Sequence, residues 1–320
     1  MSPRSRKLLS LLAAAGSLLA FATPAQAAVA VTVAPYVDMG AWPTPSLSDM
    51  ATKGNLKSFT LGFVTAWGCK ASWFGAYDPR TGWQAEEIAK IRAAGGDVKV
   101  SFGGASGIEL AQNCTTVTTL ANEYDAVVKA YKLNYIDLDI EGAAVADPTS
   151  VTRRSQALAI VQQRNPGLKI SLTLPVLPEG LDANGLNVVK AAKTAGVNLD
   201  MVNIMAMDYY AGPKDQGDQA IKAAKSTQAQ IKTLYGLTDA AAWKKIGVTP
   251  MLGVNDSRNE IFYTSDATQL VTFAKSVHLG MLSFWEMTRD RNACNGSLVN
   301  CTNVPQTAYQ FSKTFAGYTG

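Results

Sequence analysis

Three observations predict an α/β protein of the (β/α)8 TIM-barrel class: eight β-rich apolar runs alternate with longer amphipathic segments, one run carries three alternating carboxylates, and no glycine-rich dinucleotide fingerprint follows the first run. The strands are expected to begin near Val33, Phe59, Val98, Tyr135, Lys169, Met201, Ile246 and Met281. Eight strands suggest closure. An open doubly wound sheet is the competing architecture, and it would ordinarily carry that fingerprint.

Helices are expected over 84–94, 116–131, 148–163, 183–194, 219–235, 266–277 and 306–315. Several have their own punctuation: Ser265-Asp266 precede one, Gly95-Gly96 follow another and Gly196 follows a third. No Pro-rich or Gly/Ser-rich linker and no repeat beyond the β-α alternation divides residues 28–320, which read as one domain. Residues 255–279 have room for a loop and one helix only, so no large α+β insertion lobe is expected and the groove should be open.

Before the first strand, Arg4, Arg6 and Lys7 precede an apolar stretch over 8–22 and then Thr23-Pro24-Ala25-Gln26-Ala27. This is the order of a cleaved secretory signal peptide, residues 1–27. Removing its three cations leaves 26 basic residues against 25 acids, and the formal charge falls from +4 to about +1. No basic patch argues for nucleic acid or an anionic membrane, and a neutral substrate fits better. The expected product is secreted, extracellular, free of the membrane after signal removal, and monomeric.

Cys69, Cys114, Cys294 and Cys301 form an even set that favours disulfides in an exported chain. Three pairings are open. The preferred one joins Cys294 to Cys301 across a short polar loop and Cys69 to Cys114 across two successive loops. His278, the sole histidine, is far from every cysteine in sequence, and no ligand spacing supports a metal.

The most informative run reads Leu133-Asn134-Tyr135-Ile136-Asp137-Leu138-Asp139-Ile140-Glu141-Gly142. Successive side chains of a strand point to opposite faces, so Asp137, Asp139 and Glu141 share one face and Ile136, Leu138 and Ile140 the other. The apolar set should pack on helices, which turns the acids into the barrel. Burial and mutual repulsion then favour protonation, and Glu141, the outermost, is the candidate general acid. An exposed acidic edge strand conflicts with the apolar opposite face, and a calcium site lacks its oxygen-rich loop.

This run resembles the Asp-x-x-Asp-x-Asp-x-Glu signature of glycoside hydrolase family 18, with Asn134 and Tyr135 replacing the usual first Asp and following Gly. Ser101-Phe102-Gly103-Gly104 looks like the family's Ser-x-Gly-Gly motif. Met205-Ala206-Met207-Asp208-Tyr209 is similar to its Met-x-Tyr-Asp segment, with Met207 in the place of Tyr, and Trp285 corresponds to the tryptophan under the reacting sugar. The four segments occur in the family's order.

The resemblance implies a secreted endo-type chitinase acting on chitin or N-acetylglucosamine oligosaccharides without a cofactor. Its catalytic residues would be Glu141 as proton donor, Asp139 orienting the substrate acetamide and Asp137 sharing a proton with Asp139. Asp208, Tyr209, Met205, Trp285, Ser101, Gly103 and Tyr36 would line the substrate. Trp42, Trp67, Trp73 and Trp83 are further candidate sugar platforms. Three carboxylates on one face cannot straddle a scissile bond as an ordinary glycosidase pair does. The resemblance instead implies attack by the substrate's own acetamide. An endo-β-N-acetylglucosaminidase, a peptidoglycan-cleaving enzyme and a chitin-binding lectin are the alternatives.

Overall fold

The computed structural model describes residues 31–320, and the expected leader over 1–27 lies outside the described residues. The chain runs β1 (Tyr36–Asp38), α1 (Leu47–Gly54), β2 (Ser58–Ala66), β3 (Ala71–Trp73), α2 (Ala85–Ala93), β4 (Asp97–Gly103), α3 (Leu110–Asn113) and α4 (Val117–Tyr131). There follow β5 (Tyr135–Asp139), α5 (Ala143–Ala146), α6 (Pro148–Arg164), β6 (Lys169–Pro175), α7 (Ala183–Thr194), β7 (Met201–Ala206), α8 (Gln216–Tyr235) and α9 (Asp239–Trp243). The last third holds β8 (Ile246–Pro250), β9 (Gly253–Val254), β10 (Ile261–Phe262), α10 (Thr264–Val277), β11 (Met281–Leu282), α11 (Met287–Asn292) and α12 (Gln310–Phe315).

Eight strands pair in parallel in the order β1-β2-β4-β5-β6-β7-β8-β11. The last meets the first: Ala34 N–H donates to the Leu282 carbonyl and Tyr36 N–H to that of Phe284, each at 3.0 Å. The (β/α)8 barrel is therefore closed, and all eight expected strands are present. Ile136, Leu138 and Ile140 are wholly buried in the apolar cluster between strands and helices.

Local chemistry explains the differences from expectation. Helix α1 was not foreseen, although Ser46 caps it by accepting from Asp49 N–H at 3.3 Å. Helix α10 starts at Thr264, two residues earlier than Ser265-Asp266 suggested, because the Asp266 carboxylate reaches back to Tyr263 N–H at 2.7 Å. The expected helix over 306–315 shortens to α12. There Gln306 is occupied with Asp290, and the Asp290 carboxylate takes the N–H groups of Phe311 and Ser312.

Strand β3 folds back antiparallel on β2. That reversal carries Trp73 into the core, where its Nε1 donates to Tyr131 at 2.8 Å, so Trp73 is no sugar platform. Between β8 and β11 lie only the two-stranded β9–β10 hairpin and α10, and no α+β lobe covers the barrel mouth.

Both preferred disulfides are formed, Cys69–Cys114 and Cys294–Cys301. The first closes a sequence separation of 45 residues and ties the β2–β3 turn to the end of α3. Loop-closure entropy for that span makes the Cys69→Ala/Cys114→Ala variant less stable by up to about 4 kcal/mol. Chemical denaturation of the double variant checks this, and an unchanged midpoint would refute it.

Candidate active site

The site grows from the register of β5. Asp137 lies opposite Ser101 on β4 and Ser171 on β6, and Asp139 lies opposite Gly103 and Thr173. Both acids point into the barrel, as the alternation required. Asp137 is wholly buried and saturated with donors: Ser101 Oγ at 2.7 Å, Tyr36 OH at 2.8 Å, Thr173 Oγ1 at 3.0 Å and Ser171 Oγ. Behind Thr173 the chain of donors continues through Asn203 Nδ2 at 3.0 Å and Thr249 Oγ1, which donates to Asn203 at 2.9 Å. Burial, with the charges of Asp137 and Asp139, pushes the Tyr36 phenol far up, so it remains a donor.

Asp139 differs sharply from its neighbour. Its side chain is buried, yet Oδ1 has no hydrogen-bond partner among the described residues. Burial first, then the charges of Glu141 and Asp137, raise its pKa well above the carboxylate range. Glu141, just beyond the strand, is pushed to about 7 by burial and by the neighbouring Asp208 and Asp256. An acid in that state keeps its proton near neutrality and can deliver it.

Glu141 stands where two cavities of about 390 and 370 Å3 meet. Pro175, Leu177, Tyr209 and Tyr210 line one, while Tyr36, Phe63, Trp285 and Val299 line the other. Asp139 opens into the second. Trp285 stacks on Phe63 with ring centres 5.6 Å apart and 18° between planes, and it lies 5.8 Å from Tyr36. The result is an aromatic floor with a partly exposed indole.

Gly103 and Gly104 perform a backbone task. A Cβ on Gly103 would meet the Asp139 carbonyl at 2.0 Å, and Gly104 N–H donates to that same oxygen at 3.1 Å. Neither Ser101 nor Gly103 touches the groove: the wholly buried Ser101 acts through Asp137, and Gly103 lets β4 approach the carboxylate strand. Their expected role as substrate contacts is corrected to support.

Met205 and Met207 line both cavities with Asp208. Asp208 has a φ of 49° and is held by its N–H on Asn255 at 3.3 Å and by Ser257 N–H on its Oδ1 at 2.7 Å. Buried Glu260 accepts Tyr209 N–H and Ala211 N–H, both at 2.7 Å. The β9–β10 hairpin thus clamps the loop that presents Asp208 and Tyr209, whose buried hydroxyl has no partner. The seventh barrel strand ends at Pro250, and Gly253 opens the hairpin.

Several groove residues went unassigned in the sequence. Phe63 inside β2 and Asp38 at the end of β1 are single residues with no motif around them, and only their place on the groove could have marked them. Glu286 follows Trp285; it is buried, accepts N–H groups from Thr288 and Arg289 at 2.9 Å, and is pushed by burial to about 7. Asp256 enters through the hairpin. Trp42 and Trp67 are strongly exposed on loops, and neither lines the two cavities. Trp83 is half-buried and stacks on Tyr77 at 4.9 Å. Among the described residues no group of three or more His, Cys, Asp or Glu is arranged to hold a metal ion.

Glu141 takes up its proton at a higher pH in the folded chain than at its ordinary value of 4.5. Between those values the native state binds more protons than the unfolded chain, so this group's contribution to stability falls as pH rises through about 7. Glu141→Gln is therefore expected to be more stable than wild type at pH ~8, by on the order of 2 kcal/mol, and equal to it below pH ~4. Thermal melts across that range check the sign.

The model described as glycosyl hydrolases family 18 matches residues 55–257. The probable bifunctional chitinase/lysozyme of Escherichia coli K12 is 37% identical over 317 residues, 93% of this chain and 35% of that protein. Endochitinase 11 of Metarhizium anisopliae is 37% identical over 294 residues, 88% of this chain and 56% of its own. The chain thus spans about a third and somewhat over half of these curated relatives. The catalytic domain of a hyperthermophilic chitinase from Pyrococcus furiosus superposes with a TM-score of 0.83 at 34% identity, over 90% of this chain and 95% of that one.

Proposed function

The chain belongs to glycosyl hydrolases family 18, and from that premise we propose that it is a secreted endo-type chitinase cutting β-1,4 bonds between N-acetylglucosamine units by substrate-assisted retaining catalysis. The observation that carries this reading is the contrast on one strand between Asp137, saturated by hydroxyls, and Asp139, which keeps a buried oxygen unpartnered beside Glu141, whose pKa is pushed up to about 7. A buried acceptor without a donor is costly. A substrate acetamide N–H supplies that donor and leaves the acetamide oxygen free to act.

In the proposed reaction Glu141 gives its proton to the glycosidic oxygen as the bond to C1 breaks, and the acetamide oxygen forms a new bond to C1. The positive charge of the resulting oxazolinium lies beside Asp139. Water then attacks C1, giving a proton back to Glu141, and the acetamide is released with net retention. Trp285 offers the apolar ring face on which the reacting sugar rests. The open groove without an α+β lobe supports cutting within a polymer.

Export is part of the proposal, supported by the basic-apolar-small order of residues 4–27 and by two disulfides, which suit an oxidising compartment. One catalytic domain over 28–320, acting as a monomer on a neutral glycan, completes it. The relative named chitinase/lysozyme favours peptidoglycan as the second reading, since the same acetamido mechanism would serve there.

The test compares wild type with Glu141→Gln on chitin oligosaccharides, bacterial cell walls and a high-mannose glycoprotein. Hydrolysis of the oligosaccharides is expected, with kcat lowered roughly 10²- to 10⁴-fold in the variant and binding kept. Turnover of cell walls alone would transfer the assignment to peptidoglycan, and binding of chitin without turnover by either protein would make it a lectin. Early products should be mainly the β anomer by NMR, and fully deacetylated chitosan should resist cutting. Because Glu141 must carry its proton, kcat/KM should fall as pH rises through about 7. A rate independent of pH from about 5 to 9 would exclude Glu141 as the acid.

A further inference from the structure

The barrel holds one more buried charge that the reaction above leaves unused. Lys99 lies on β4 two residues before Ser101, so its side chain enters the barrel on the same face, one layer beneath the Ser101–Asp137 bond. It is wholly buried. Its Nζ lies 4.4 Å from the centre of the Tyr135 ring and 3.4 Å from Met281 Sδ. Among the described residues it makes no ion pair and no hydrogen bond to oxygen.

The surroundings favour an apolar residue here: Ala34, Met201 and Met281 form a small apolar cluster on the barrel floor. A ring face and a thioether compensate an ammonium only in part. The charged groups that face Lys99 are few. Asp137 lies above it on β5, Asp200 below it accepts from Tyr135 OH, and Lys169 lies 5.8 Å from the same Tyr135 ring. Burial lowers the Lys99 pKa, while Asp137 and Asp200 pull it back up. Higher in the barrel, burial and carboxylate repulsion act on Asp139 and Glu141. The hydroxyl cage of Asp137 is neutral.

We propose that Lys99 is an electrostatic positioning residue, the counter-charge of the Asp137–Asp139–Glu141 column, and that it limits how many protons the column holds at working pH. It touches neither substrate nor reacting atoms, and its role in turnover rests on the catalytic reading of the column. Asp139 lies four strand residues above the level of Lys99, and a unit charge about 13 Å away, at an effective dielectric constant of ~20, shifts a carboxyl titration by roughly one pH unit. Without it Asp139 would take up its proton at a higher pH.

The experiment is carboxyl 13C NMR of aspartate-labelled wild type and Lys99→Met, with Asp139 assigned through Asp139→Asn. Removing the ammonium is expected to raise the Asp139 titration midpoint by roughly one pH unit. The acidic limb of kcat/KM should move up in parallel, with KM little changed and the melting temperature not lowered. A merely structural lysine would lower the melting temperature and leave the titration in place. An unchanged Asp139 titration in folded Lys99→Met overturns the proposal, and this arm needs no turnover. A shifted titration in a protein that cuts no N-acetylated glycan supports the counter-charge and overturns the catalytic reading instead. Should Lys99→Met fail to fold, 15N NMR of Lys99 Nζ in wild type decides: an ammonium through the working range supports the proposal, and a neutral amine overturns it.

Discussion

The molecule is organised around a carboxylate that has to be satisfied without water. Asp137 is wholly enclosed, and each hydrogen bond to such a charged group contributes about 1.5–3 kcal/mol, whereas a missing one leaves a heavy desolvation cost. Its donors sit on β1, β4 and β6, and the relay behind them extends to β7 and β8. That network spans six of the eight barrel strands. Tyr36 reaches Asp137 only because the last strand meets the first, so barrel closure and satisfaction of Asp137 are one requirement.

Two residues further along, the same strand does the opposite. Asp139 has burial without donors, and Glu141 has burial with like charges for neighbours. The difference follows from depth. Hydroxyls from both adjacent strands surround Asp137, while at the level of Asp139 one neighbour is Gly103, which has no side chain to offer. The glycine that admits β4 to the carboxylate strand also leaves the second acid without a donor. Support and reactivity are thus separated along one strand by the identity of its partners.

The barrel and this acid face were legible because both rest on period-two alternation, which a strand cannot violate. Residues that act through loops were not. Glu260 and Asn255 clamp the loop after β7 from a hairpin whose pairing has no strong local signal, and each reads as an ordinary polar loop residue. Trp73 looked like an exposed platform and became core once β3 doubled back on β2. Lys99 was hidden for a different reason. A lysine between valines in a strand reads as a solvent-facing side chain unless parity is carried through from Ser101. Ser101 and Gly103 were found by motif but given the wrong neighbour, because a motif names residues and not the depth at which they sit.

A polar interior is unusual for a barrel whose layers are ordinarily filled by branched apolar side chains, and it must be offset outside. Ile136, Leu138 and Ile140 do this on the reverse face of the same strand, wholly buried with Leu120, Val151 and Leu158 of the surrounding helices. The arrangement fixes register strongly. Slipping β5 by one residue would turn three carboxylates onto the helices and three aliphatic side chains into a layer of hydroxyls, leaving both faces unsatisfied. Polar matching inside and apolar matching outside therefore select the same register. That agreement lets a buried cluster of acids exist at all, and it places Glu141 at the strand's open end without any loop having to hold it there.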